Sequence, residues 1–106
     1  MEFHRLFNGS KFDLIHSNAT DDFRKAGPKK DYDEFMAAVR RKMGRAGKST
    51  RESWNVMVTT KGTRVALVYK TEFEHGSAQE HFTFIDKGSG PELLGYNINS
   101  NVLVTR

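Results

Sequence analysis

A chain of 106 residues is about one domain long and can bury a single hydrophobic core. It has no cysteine, which excludes disulfides, a thiolate nucleophile and Cys-ligated zinc, and its formal net charge of +4 is only mildly basic. No apolar run approaches the roughly 18 residues that a membrane-spanning helix needs. Two prolines and no low-complexity tract argue for an ordered chain.

Phe3, Leu6 and Phe7 share one helical face until Asn8-Gly9 interrupts it. Ser10 then reads as the N-cap of a second stretch, Lys11 to Ala19, with Phe12, Ile15 and His16 at helical spacing and Leu14 beside them. Thr20-Asp21-Asp22 reads as a third start, carrying Phe23 inward, and Gly27-Pro28 as its stop. The clearest helix runs from Asp31 to Met43. Asp31 is its expected cap, and Glu34 approximates a capping box. Tyr32, Phe35, Met36, Val39 and Met43 form one apolar stripe. Arg40, Arg41 and Lys42 complement the helix dipole in the last turn, and Gly44 ends the helix.

From Arg51 the period becomes two. Trp54, Val56 and Val58 alternate with Asn55, Met57 and Thr59 before a turn at Lys61-Gly62-Thr63. Val65, Leu67, Tyr69, Thr71 and Phe73 form the next alternating set, and His75-Gly76-Ser77 turns the chain into Ala78, Glu80, Phe82 and Phe84. A Gly-rich loop from Asp86 to Pro91 leads to a last strand, Leu93 to Asn99. Short connections between successive strands predict an antiparallel meander. Helices first and strands after predict one α+β domain over residues 1–106, with N-terminal helices packed on a four-stranded antiparallel sheet. The expected core face holds Trp54, Val56, Val58, Val65, Leu67, Tyr69, Phe73, Phe82, Phe84, Leu94, Tyr96 and Ile98, with Asp31–Met43 packed on it. The opposite face, with Met57, Val68 and Ile85 among its residues, is more apolar than a solvated face and predicts a homodimer joined there.

A broken helical start "FNGSKFDLIHSNATDDFRKAG", a capped helix "DYDEFMAAVRRKMG" and long strands ending in "LLGYNINSN" occur in that order. This arrangement resembles bacterial domains of unknown function in the nuclear transport factor 2-like, or cystatin-like, superfamily, over Phe3 to Asn101. The resemblance implies a curved sheet around the long helix and frequent dimerisation through the outer sheet face. It implies no single activity, because the superfamily holds isomerases, dehydratases, hydrolases, ligand binders and docking modules. Many relatives look like small exported proteins, and the apolar start at Met1-Glu2-Phe3 fits a trimmed leader. A periplasmic or cell-envelope location is therefore the expectation.

Gly44-Arg45-Ala46-Gly47-Lys48-Ser49 lacks both the spacing and the strand-loop-helix context of a phosphate loop, and reads as a helix cap followed by a basic loop. The basic run from Arg40 to Arg51 has no interleaved aromatic to stack bases. Another protein or an anionic surface is a better partner for it than nucleic acid. His4, His16, His75 and His81 show no metal-ligand spacing, so no metal and no cofactor are expected. His81 shares a strand face with Glu72 across a short hairpin. Such a pair can tune an imidazole for acid–base work, although a polar cross-strand contact is the commoner outcome. The interior is expected to be apolar, with Trp54, Tyr69 and Tyr96 as polar handles for a ligand where a pocket opens. Asn97, Asn99 and Asn101 give the last strand a polar exit.

These features predict a non-catalytic binding or protein-interaction domain. A small-molecule enzyme is the alternative, distinguished by a solvent-connected pocket with an ionisable group inside. An inhibitor or immunity-type protein that docks on a toxin or enzyme is a third reading.

Overall fold

Aromatic residues at helical spacing build the first layer. In the computed structural model, which describes residues 2–101 and 103, α1 spans Glu2–Asn8 and carries Phe3 and Phe7 one turn apart with their rings stacked. Phe3 lies 4.9 Å from Phe82 and 4.6 Å from Tyr96 between ring centroids, and Phe7 meets Phe73 edge-on at 5.9 Å. α1 therefore sits on the inner face of the sheet. Ser10 adopts a left-handed φ of 56°, so the chain turns there and α2, Phe12–Asn18, starts after Lys11 rather than Ser10. Thr20 caps α3, Asp21–Lys25, as the sequence implies, its hydroxyl accepting from the Phe23 N–H at 3.1 Å.

α4, Lys29–Met43, begins two residues ahead of the expected cap. Pro28 is its N-cap, and the Pro28 carbonyl accepts from the N–H groups of Asp31 and Tyr32. Asp31 instead lies in the first turn, where a negative charge suits the helix dipole. Met36, Val39 and Met43 are buried in one cluster with Phe3, Leu6, Phe7 and Ile15. Phe35 is 45% exposed, so the buried stripe is narrower than its sequence pattern. The rings of α1 occupy the inner sheet face, and α4 meets α2 and shares one core cluster with α1 and the sheet.

The strands are β1 Ala46–Thr59, β2 Gly62–Phe73, β3 Gly76–Asp86 and β4 Pro91–Asn99, antiparallel in the order β1-β2-β3-β4. β1 starts well before Arg51, absorbing the segment read from the sequence as a basic loop. Register shifts at Ala46/Ser49, Arg51/Ser53 and Thr83/Phe84 mark bulges, which bend and twist strands. The last one places Leu93 opposite Phe84, so Leu93 takes the core position expected of Leu94.

Cross-strand register puts Trp54, Leu67, Phe82 and Tyr96 in one row and Val56, Val65, Phe84 and Leu93 in the next. The alternation thus assigned the inner face correctly apart from Leu94 on β4. α1 meets the first half of β1 only, and the helices leave its second half uncovered: Trp54 is 61%, Val56 47% and Val58 80% exposed, and none of the three joins the core. Ile85, on the opposite face, is buried within the chain apart from the main cluster.

Candidate functional site

Alternation along β3 sends Ala78, Glu80 and Phe82 inward, and Glu80 arrives fully buried between apolar neighbours. A carboxylate there must be saturated with donors. Its Oε1 lies 2.6 Å from both His4 Nε2 and Thr71 Oγ1, and its Oε2 accepts from the Tyr96 hydroxyl at 2.5 Å. The Thr71 and Tyr96 hydroxyls both donate to it, and His4 Nε2 donates in the Nε2–H tautomer. Burial, with the Glu80 carboxylate beside it, holds the Tyr96 phenol well above its ordinary range and keeps it a donor.

His4 comes from α1, where it shares the buried side of the helix with Phe3 and Phe7. Its second ring nitrogen, Nδ1, lies 3.4 Å from Ser49 Oγ on β1, and that hydroxyl is 3.0 Å from Thr71 Oγ1. Since Thr71 spends its hydrogen on Glu80, the Ser49 hydrogen has two acceptors within reach, Thr71 Oγ1 and an unprotonated Nδ1. Glu80, His4, Ser49 and Thr71 therefore close a hydrogen-bonded ring through which a proton can be repositioned without moving a heavy atom.

One edge of this ring opens to solvent. His4, Arg5, Asn8, Ala46, Gly47, Ser49 and Tyr69 line a cleft of about 610 Å³ between α1 and the β1–β2 side of the sheet. Asn8 fixes its wall by acting as a strand partner: Nδ2 donates to the Ala46 carbonyl at 2.9 Å and Oδ1 accepts from the Ala46 N–H at 2.7 Å. Tyr69 lines the cleft, and its hydroxyl makes no hydrogen bond among the described residues. The cleft wall contains no carboxylate, and Arg5, the cation at its rim, is paired with Glu2.

Of the residues singled out from sequence, Tyr69 lines this cleft and Tyr96 stands behind it as a Glu80 partner. Trp54 is exposed farther along the inner face, with the Arg51 guanidinium 5.9 Å above its ring. The pair Glu72 and His81 is not assembled. Register sets Glu72 opposite Ser77 and His81 opposite Val68 and Asn97, and the exposed imidazole contacts Gln79 instead. Met57 is exposed, Val68 half-buried and Ile85 buried, so these three do not form one accessible patch. Among the described residues, no group of three or more His, Cys, Asp or Glu side chains is placed to hold a metal.

His4, Glu80 and Ser49 were missed by sequence reading. Glu80 occupied an inward slot of the alternation, and an acid in such a slot is itself the signal. Compared with known proteins, the chain matches no family model and no curated protein.

Proposed function

We propose that this chain is a ligand-binding domain of cystatin-like, nuclear transport factor 2-like build, which takes a small polar molecule into the cleft between α1 and the β1–β2 face. One observation carries this reading. Three hydrogen-bonding side chains, His4, Ser49 and Tyr69, converge on a solvent-open cleft, and the first is held in place by a buried carboxylate. Tyr69 brings a hydroxyl that is unengaged among the described residues, on an apolar ring, the combination that orients a small ligand. The resemblance of the sequence adds a cell-envelope setting to this reading.

The test is amide chemical-shift mapping with a fragment library of small carboxylic acids, esters and phenols. Shifts are expected to cluster at Asn8, Gly47, Ser49 and Tyr69, and Tyr69→Phe should weaken the best fragment roughly three- to tenfold. Shifts confined to other faces, or affinity unchanged in Tyr69→Phe, would contradict it.

A second reading, association with another copy of the chain, is favoured by β1. It is an edge strand of the sheet and presents Trp54, Val56 and Val58 on one face and Met57 on the other, all exposed. An uncovered apolar edge of this kind pairs readily with its own symmetry mate. In this reading the contact runs along the β1 edge, since Ile85 is already buried inside the chain.

A further inference from the structure

We infer that the cleft is an acyl-transfer site, with Ser49 as nucleophile, His4 as its base and Glu80 as the residue that positions the imidazole. The inference rests on the cleft being a ligand site and goes beyond binding. Its ground is the order of contacts: Ser49 Oγ to His4 Nδ1 at 3.4 Å, then His4 Nε2 to Glu80 Oε1 at 2.6 Å. A nucleophile within reach of a base that is itself oriented by a third group is the arrangement nucleophilic catalysis requires, and the first contact is often long in an empty site. Glu80 is fully buried and anchored by Thr71 and Tyr96, so the imidazole has one orientation. Thr71 can hold the Ser49 hydrogen at rest, and rotation of the hydroxyl delivers it to Nδ1.

The substrate class is a carboxylic ester with a small acyl group, matched to an open cleft of about 610 Å³. Ser49 Oγ attacks the ester carbonyl carbon while its proton passes to His4 Nδ1. The tetrahedral oxyanion takes a hydrogen bond from the hydroxyl of Tyr69 on the cleft wall. Collapse breaks the bond to the alkoxy oxygen, which leaves as the alcohol with the proton from Nδ1. Water then attacks the Ser49 ester, gives a proton to Nδ1, and releases the acid as Ser49 Oγ recovers it.

The experiment treats the intact chain with a fluorophosphonate probe and maps modified serines by mass spectrometry, with exposed Ser53 and Ser89 as internal references. Ser49 is expected to react at least ~100-fold faster than either reference. His4→Gln should abolish that excess together with its pH dependence. p-Nitrophenyl acetate should give a burst of one p-nitrophenol per chain, absent in Ser49→Ala. Equal labelling of all three serines, or a burst that survives Ser49→Ala, overturns the inference. The Ser49→Ala chain also separates the two claims. Fragment shifts that persist in it while wild-type Ser49 stays unlabelled refute acyl transfer and leave the binding reading standing.

Discussion

Glu80 imposes the steepest local constraint in the molecule, because an acid at zero exposure is tolerated only while its donors remain in place. Tyr96→Phe removes a donor to Oε2 with almost no change of volume, and is expected to lower the unfolding free energy by about 1–3 kcal/mol in urea titration. Glu80→Ala strands His4 and the two hydroxyls and should cost about 3–5 kcal/mol. Burial raises the pKa of both Tyr96 and Tyr32. A phenol kept neutral by folding contributes stability that is complete below its unfolded value, about 10, and is lost as pH rises above it. Unfolding free energy should therefore decline above about pH 10, by up to about 1.4 kcal/mol per pH unit for each phenol, and Tyr96→Phe should remove one of the two contributions. Urea titrations between about pH 9 and pH 11 read this slope. At this scale the sequence was legible only in part. Trp54, Tyr69 and Tyr96 were read as the polar handles of the interior, of which Trp54 is exposed, whereas Glu80 escaped because its partners come from α1, β2 and β4, all distant in the chain.

The helix-forming and strand-forming segments were readable because periodicity and caps are local properties. Thr20 as a cap and Gly44 as a terminator both held, the latter with a φ of 81° that favours glycine. A Cβ at Gly44 would approach the Glu74 Cβ to 2.7 Å, which fixes the residue sterically as well. How much of a stripe is buried depends on what lies opposite, and α4 shows this directly. Val39→Asp should lose more than ~3 kcal/mol by placing an unpaired charge in the core. Phe35→Asp is expected to cost less, about 1–2 kcal/mol, since the residue is nearly half exposed. Thermal or urea melts of the two variants decide whether the narrower stripe is right. Bulges account for the remaining differences within elements: they interrupt strict alternation, which is why Leu93 rather than Leu94 enters the core.

For the whole molecule, helices preceding a four-stranded antiparallel meander were legible from the switch in hydrophobic period, and the structure has that α+β order. Coverage of the sheet was not legible. A strand such as β1 carries the same alternation whether or not a helix lies over it, so Trp54, Val56 and Val58 read as core while the fold leaves them exposed. That uncovered stretch leaves the edge strand free. Copies of the chain are expected to associate along β1. Light scattering on the eluting protein should show a dimer that Val56→Lys or Val58→Lys converts to monomer, and a wild-type monomer at high concentration would refute the contact.

The function assigned to the cleft depends on His4 being pinned by Glu80 through Nε2 and presenting Nδ1 to whatever enters. Long-range proton–nitrogen correlation of the imidazole rings tests that arrangement directly, with and without the best-binding small ester fragment. Four rings are present, and the account predicts that one, His4, carries a slowly exchanging Nε2 proton and that its Nδ1 signal moves on fragment binding while His16, His75 and His81 stay fixed. A His4 ring whose Nε2 proton exchanges as fast as that of free imidazole, or whose Nδ1 signal stays still at saturating fragment, would contradict it.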